Sequence, residues 1–164
     1  MPTIRDAVPA DLPVIGRLGA LLVGLHHEMD PARFIAATPQ TPDGYAHFLA
    51  TQLEEPEVLV MVAERDGVVV GYSYAGIEGQ DWMTLRGPAG VIHDLVVDAE
   101  ARNGGVGRAL LEATIAALER RGAPRVVLST AARNEAAQRL FARAGFRRTM
   151  VEMTRERDAF TDRS

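Results

Sequence analysis

The chain has 164 residues, of which 47% are hydrophobic and 24% charged, as is typical of one globular domain with its own core. Its formal net charge of -4 gives no overall positive field that would hold a polyanion, so a nucleic-acid partner is not expected. Because the chain contains no cysteine, disulfides, thiolate metal sites and acyl transfer through a cysteinyl intermediate are excluded.

The N-terminal half predicts a strand, two helices and a hairpin. Residues 3–8 form the strand, and the stretch after Asp11, a candidate helix N-cap, has apolar residues at helical spacing. A loop that contains three prolines separates this helix from a second helix over residues 42–54. Residues 58–63 and 68–75 are apolar, β-branched runs joined by a turn with Asp66-Gly67, a strong hairpin signal.

The C-terminal half alternates strands and helices. The predicted strands cover residues 91–97, 126–128 and 146–154, and the helices cover residues 106–120 and 134–144. The charged tail, residues 155–164, is expected to fray. This order of elements predicts a mixed α/β fold in a single domain, residues 1–164, since no linker or internal repeat divides the chain.

Signals for export, membrane insertion and metal binding are missing from the sequence. The most apolar stretch, residues 14–25, is interrupted by Arg17, and no apolar segment follows a basic N-terminus. We therefore expect a cytoplasmic protein with no membrane partner. No metal is expected either, because the adjacent His26 and His27 cannot easily share one helical face.

The most informative segment, residues 92–111, reads IHDLVVDAEARNGGVGRALL and turns a strand into a helix. Three glycines stand in the turn: Gly104, Gly105 and Gly107. They let backbone N–H groups converge on an anion, which the helix dipole also favours, while Arg102 and Arg108 can add charge-assisted contacts. A plain tight turn would show the same glycines, whereas Walker A and G-x-G-x-x-G patterns are absent.

This turn resembles the R-x-x-G-x-G/A loop of the GNAT N-acetyltransferase superfamily, and the matching residues are Arg102, Gly105 and Gly107. Upstream, Gly71-Tyr72 in the hairpin is similar to the family's second and third strands. Downstream, the family's later pattern is matched by Asn134, Ala136, Leu140, Phe141, Gly145 and Phe146. The resemblance implies the GNAT acyl-CoA N-acyltransferase fold, a central twisted mixed sheet of about six strands flanked by helices, whose central parallel strands splay.

The resemblance also implies a binding site for acetyl-coenzyme A. The backbone of Leu95, Val96 and Val97 would pair with the pantetheine arm like an added strand. The pyrophosphate would be held by the turn, that is by Arg102, Asn103, Gly104, Gly105, Val106, Gly107 and Arg108. Asn134 and Phe141 would contact the cofactor further along, although Asn134 is equally a candidate N-cap of its helix.

Direct attack of an amine on the thioester requires a group that takes a proton from the ammonium. His93 and Asp94 occupy the region where the family often places an acidic residue. Strand alternation predicts that the two side chains point to opposite faces, so that only one of them faces a given cleft. His93 is slightly preferred, because an ordinary imidazole titrates near neutral pH.

The departing thiolate is protonated in many family members by a tyrosine at the position of Phe141, so this chain lacks that hydroxyl. Tyr72, Tyr74 or solvent would then supply the proton. For the acceptor, Glu28 and Tyr72 are candidate contacts, and Trp82-Met83 either lines the pocket or covers the core. A solvated helix end is the preferred explanation of Glu28.

The expected activity is transfer of an acetyl group from acetyl-CoA to a primary amine, with a small molecule preferred over a protein as acceptor. The family resemblance also favours a homodimer. Two alternatives stay open. One is a non-catalytic acyl-CoA-binding regulatory module of the same fold, which the missing tyrosine supports, and the other is a nucleotide-binding α/β protein that uses the same turn.

Overall fold

Five strands, aligned in sequence order, form one mixed sheet in the computed structural model, which describes residues 1–157. The strands are β1 (Thr3–Asp6), β2 (Val58–Arg65), β3 (Val68–Glu78), β4 (Ala89–Val97) and β5 (Val126–Leu128). The helices are α1 (Leu12–Met29), α2 (Thr41–Gln52), α3 (Val106–Arg120) and α4 (Glu135–Arg143). Short 3-10 turns at Pro9–Asp11 and Ala99–Ala101 lead into α1 and into the loop before α3.

The sheet separates two hydrophobic cores, as the alternation of side chains along β2 shows. Leu59 and Met61 pack in one core with α3 and α4, whereas Val60 and Val62 pack in the other with α1 and α2. Both faces of the sheet are therefore covered by helices, and each helix pair buries its own apolar stripe.

β4 and β5 run parallel but pair over only three residues, from Gly90 opposite Val126 to Ile92 opposite Leu128. β3 pairs with β4 up to Val97, so the β3 edge of β4 is satisfied along its length. Within the described residues, the other edge of β4 has no strand partner beyond Ile92. The strands thus separate midway, and half of β4 has an open edge.

β4 also carries a β-bulge at His93. Tyr74 pairs with Asp94 and Ala75 pairs with Ile92, so His93 is one extra residue between two pairs. The bulge shifts the alternation of side chains between the two faces by one residue. His93 packs on the ring of Tyr74 and Asp94 bonds to Tyr72, and both tyrosines lie on the face of β3 that α1 covers. The expectation that His93 and Asp94 face opposite sides is therefore wrong.

The segment predicted as a final strand, residues 146–154, forms no strand. Phe146 packs against Phe141, with 6.0 Å between ring centroids, and the Glu152 carboxylate pairs with Arg33, but Val151 and Met153 are exposed. β5 is only three residues long and offers too short an edge to organise a longer neighbour. The described sheet has five strands instead of the expected six, and most of the predicted frayed tail lies outside the described residues.

The two candidate N-caps differ in what their side chains do. Asp11 precedes α1 as predicted, but its carboxylate accepts hydrogen bonds from Arg5 and from the Val8 amide, and it does not cap the helix. Asn134 caps α4, because its Oδ1 accepts from the Ala137 amide at 3.1 Å. The second cap matters for the site described below, since it fixes the start of α4 beside β5.

Candidate active site

A cavity of about 270 Å³ opens where β4 and β5 separate. Its walls come from α1, the loop after α1, β4, the end of β5 and α4. Five of the residues singled out in the sequence line it, namely His93, Asp94, Leu95, Asn134 and Phe141. The structure therefore brings the candidate bases, one strand residue and the start of α4 to the same space.

Asp94 is the buried polar group of this cavity. The hydroxyl of Tyr72 donates to its Oδ2 at 2.8 Å and that of Tyr45 at 3.2 Å. Burial raises the pKa of Asp94, although the two hydroxyl donors oppose the rise by stabilising the carboxylate. Because both tyrosines bond to Oδ2, no hydrogen bond from residues 1–157 reaches Oδ1, which stays available to a substrate.

The two tyrosines that hold Asp94 are themselves shielded from water. Tyr72 is fully buried on β3, and burial together with the nearby Asp94 charge raises its pKa. The same two causes raise the pKa of Tyr45, which lies on α2. Both hydroxyls therefore stay protonated at neutral pH and act as hydrogen-bond donors to Asp94.

His93 is held by groups from β3. Its ring lies 4.9 Å from the ring of Tyr74, and its Nε2 is 3.0 Å from Glu78 Oε1. Glu78 is in turn paired with Arg86 at 3.2 Å. Since Nε2 is engaged with Glu78, Nδ1 is the ring atom left for another partner.

The turn before α3 has the backbone geometry of an anion site. Asn103 and Gly105 have positive φ angles of 64° and 77°, and Gly105 is the helix N-cap. The first helical bond runs from the Ala109 amide to the Gly105 carbonyl at 3.0 Å. The amides of the first turn, Val106 to Arg108, precede that bond and so have no partner within the helix.

The three arginines around this turn differ in whether their side chains already have partners. Arg102 Nε donates to the Val97 carbonyl at 3.1 Å, and Arg108 Nε donates to Glu112 at 2.7 Å. Arg65, at the end of β2, reaches over the turn: a Cβ placed on Gly104 would lie 2.6 Å from its Nη2. Within residues 1–157, the Arg65 side chain makes no hydrogen bond or ion pair, so its guanidinium is left for another partner.

The open edge of β4 presents the backbone of alternate residues. The Val96 carbonyl lies against β3, since a Cβ on Gly71 would approach it to 2.7 Å. Because successive residues of a strand direct their backbone groups to opposite edges, Leu95 and Val97 direct theirs to the open edge.

The remaining predicted residues lie away from the cavity or lack the expected group. Glu28 is exposed on α1, and Trp82 and Met83 are exposed on the loop after β3; none of the three lines the cavity. Phe141 is buried and presents no hydroxyl. The Tyr74 hydroxyl donates to Gln52 at 2.9 Å and the Tyr72 hydroxyl to Asp94, so neither tyrosine lines the cavity as a free acid.

Sequence reasoning missed Tyr45 and Arg65. Tyr45 has no motif around it, and its contact with Asp94 spans 49 positions of the chain. Arg65 immediately precedes the hairpin turn. The hairpin places this turn at the same end of the sheet as the end of β4, and that position could have indicated that Arg65 lies near the glycine turn. Residues 1–157 hold no group of three His, Asp or Glu side chains that suits a metal ion, and none of their helices is long and apolar enough to cross a membrane.

Comparison with known proteins identifies the class to which this fold and site belong. Residues 23–146 match the acetyltransferase (GNAT) family, and the chain belongs to this family. Among curated proteins, it is 38% identical over 92 residues to a mycothiol acetyltransferase of Thermobispora bispora, covering 56% of this chain and 31% of that protein. A mycothiol acetyltransferase of Cellulomonas flavigena is 35% identical over 96 residues, covering 57% and 28%. The chain thus spans about a third of the length of these relatives.

Solved structures share the whole fold. An aminoglycoside N-acetyltransferase in complex with CoA superposes with a TM-score of 0.71 at 20% identity, covering 96% of this chain and 95% of that one. A predicted acetyltransferase with acetyl-CoA from Clostridium acetobutylicum gives 0.72 at 13% identity, covering 94% and 96%. A transcriptional regulator from Bacillus halodurans gives 0.74 at 20% identity, covering 95% and 99%. At these identities the likeness shows the fold, which is that of GNAT acetyltransferases.

Proposed function

We propose that the protein transfers an acetyl group from acetyl-CoA to the primary amine of a small molecule by direct attack. The observation that carries this proposal is the open edge of β4, which leads from a cavity with a buried carboxylate, Asp94, towards the unpaired amides at the start of α3. The relatives described above, which include a mycothiol acetyltransferase and an aminoglycoside N-acetyltransferase, support the same class of reaction.

The residues present suit acetyl-CoA. The backbone groups of Leu95 and Val97 on the open edge would pair with the amides of the pantetheine arm. The amides of the α3 turn would bind the pyrophosphate, and the Arg65 guanidinium would add a charge-assisted contact. Asn134 would use its amide Nδ2, since its Oδ1 already caps α4.

Asp94 is our candidate for the general base, because no described residue bonds to its Oδ1 and because burial raises its pKa, which favours uptake of a proton. It would take one proton of the substrate ammonium, and the neutral nitrogen would form the new bond to the thioester carbon. The C–S bond would then break, and the nitrogen would release its second proton to solvent as the amide forms. The thiolate would be protonated by solvent, since Phe141 has no hydroxyl. These contacts favour Asp94 over His93, which the sequence alone slightly preferred.

Release of free thiol from acetyl-CoA upon addition of primary amines tests the proposal. The chain has no cysteine, so a thiol reagent reads only the product, and it has no lysine, so side-chain autoacetylation does not compete. We expect thiol release that depends on both protein and amine, with the acetylated amine found by mass spectrometry. Tight binding of acetyl-CoA with no amine-dependent release would instead support a regulatory module.

Asp94→Asn and His93→Gln distinguish the two candidate bases. Loss of a general base lowers kcat by about 10²- to 10⁴-fold, and we expect this for Asp94→Asn with an unchanged Kd for acetyl-CoA. His93→Gln should change kcat much less. The opposite ranking would assign the base to His93, and small effects of both would place proton removal elsewhere.

The assembly and location of the protein stay predictions. We propose a homodimer, following the family resemblance, and a cytoplasmic site of action. Sedimentation of the purified protein over a range of concentrations tests the assembly.

A further inference from the structure

The acceptor end of the cavity differs in chemistry from the cofactor end. With acetyl-CoA along the open edge of β4 and the start of α4, the space left for the acceptor lies under α1 and the loop that follows it. The side chains that line it there are Leu22, Val23, His26, Phe34 and Ile35, with Asp94 beneath them. Four of these six are apolar and carry no hydrogen-bonding group.

Phe34 is fixed as an aromatic wall of this space. The ring of His26 meets it edge-on, with 5.0 Å between centroids, and His27 Nδ1 donates to the Phe34 carbonyl at 2.8 Å. The Arg33 guanidinium lies over the Phe34 ring at 4.8 Å and is paired with Glu152. An aromatic ring held from several directions is a preformed contact for an apolar substrate group.

The polar side chains at this end are His26 and Asp94, with His93 next to Asp94 on β4. His26 Nδ1 donates to the Leu22 carbonyl at 2.8 Å, which leaves Nε2, and Asp94 has Oδ1. Among the described residues that line the cavity there is no arginine, and the chain has no lysine. An acceptor carboxylate would meet the Asp94 charge with no arginine or lysine in the lining to pair with it, and sugar hydroxyls would lose their hydrogen bonds to water against apolar walls.

We propose that the acceptor is a primary monoamine on an uncharged, largely apolar body, such as an arylalkylamine. This rests on the proposed function and narrows it. The ammonium binds at Asp94 Oδ1, and the apolar body packs on Phe34, Leu22 and Val23. Relatives are named for acceptors of other kinds, so the lining of this chain's cavity, and not the family, determines the preference.

Three amines that differ in one feature each provide the test. Phenethylamine carries the proposed body, phenylalanine adds a carboxylate beside the same amine, and glucosamine replaces the aromatic body with hydroxyl groups. Since apolar pockets and unpaired polar groups discriminate by about tenfold or more, we expect kcat/KM for phenethylamine to exceed both others by at least that factor. A kcat/KM for phenylalanine or glucosamine equal to or above that of phenethylamine would overturn the inference and leave the proposed function intact. Acetylation of none of the amines would overturn both.

Substitutions at Phe34 and Ile35 test whether these residues determine the preference for an apolar acceptor. Ile35 stands 79% exposed at the mouth of the cavity, so Ile35→Ser should fold normally, and Phe34→Ser removes the ring while keeping the backbone bond to His27. Both should lower kcat/KM for phenethylamine, Phe34→Ser by about tenfold, without changing the Kd for acetyl-CoA. Met83→Ser is the matched control, because Met83 is also highly exposed and lies outside the cavity. Equal effects of Ile35→Ser, Phe34→Ser and Met83→Ser on kcat/KM would contradict the placement.

Discussion

Asp94 is a buried side chain for which we propose both a binding role and a chemical role. Its Oδ2 is held by two tyrosine hydroxyls, so its orientation is fixed from β3 and α2 at once. Its Oδ1 faces the cavity without a partner among residues 1–157. Burial disfavours the charged form of this carboxyl. The charged carboxylate therefore lowers the stability of the folded protein at the residue that we propose to accept the proton.

Asp94→Asn should stabilise the protein increasingly as pH rises. The pKa of Asp94 is raised on folding above its ordinary value of 3.8. The contribution of the protonated form is therefore present below that value and is lost as pH rises through the folded-state pKa. Asparagine does not ionise and keeps an acceptor for both tyrosines. The Tm of Asp94→Asn minus that of the wild type should grow as pH rises above the ordinary value of 3.8; a constant or shrinking difference would contradict the raised pKa.

Arg65→Ala should weaken cofactor binding through the phosphates alone. Loss of one charge-assisted contact at a partly exposed site corresponds to about a tenfold increase in Kd for CoA. S-acetylpantetheine, which lacks those phosphates, should be used equally well by variant and wild type. Arg17→Ala is the control, because Arg17 lines a surface groove with Arg65 but has no contact with Gly104. Equal losses for both variants would indicate a general electrostatic effect.

The sequence predicted where the candidate site residues lie along the chain better than it predicted which face of the sheet their side chains occupy. The glycine turn and the strand before it were visible as a motif, and five of the marked residues line one cavity. The common side of His93 and Asp94 was not visible, because the bulge depends on how β4 pairs with β3 across the sheet. Tyr45 was missed for the same reason, since its role depends on the packing of α2 over β4.

Close packing of α1 on α2 is what carries Tyr45 to Asp94. A Cβ on Gly16 would lie 2.3 Å from the Pro42 carbonyl oxygen, and one on Gly19 would lie 2.3 Å from the Tyr45 ring. The helices therefore approach each other through glycines, and Tyr45 occupies the space that a side chain at Gly19 would take. The hydrogen bond that Tyr45 donates to Asp94 thus depends on the contact between Gly19 of α1 and the Tyr45 ring.

Gly19→Ala and Gly24→Ala form a matched pair within α1. Gly19→Ala overpacks the contact with Tyr45 and should cost about 1–3 kcal/mol of the free energy of unfolding, with a lower kcat. A Cβ on Gly24 would meet no atom within 4 Å, so Gly24→Ala should gain up to about 1 kcal/mol from helix propensity. Urea denaturation measures both. Stabilisation by Gly19→Ala would contradict the close contact.

Most helices and strands were predictable from the sequence, and the exception is the final strand. The hairpin turn, the helix after the glycine turn and the short β5 were indicated by local signals and lie where predicted. The final strand was predicted over residues 146–154, but a strand needs a neighbour to pair with, and β5 ends after three residues. Local patterns do not record the length of the neighbouring edge.

In the whole molecule, two cores hold the sheet from both faces, while one edge of β4 is left open between them. The α1 and α2 face supplies Asp94 and the proposed acceptor space, and the α3 face supplies the turn that we propose binds the phosphates. In the proposed reaction, the separation of β4 from β5 is therefore the feature that would bring cofactor and acceptor together.

Calorimetric titration with acetyl-CoA, with ATP and NAD as comparisons, tests this account most directly. We predict saturable binding of acetyl-CoA by the wild type and none of comparable affinity for ATP or NAD. Gly105→Glu should abolish the binding, because it places a negative side chain at the anion site of the turn. Absence of acetyl-CoA binding to the folded wild type, or undiminished binding by folded Gly105→Glu, would contradict the account.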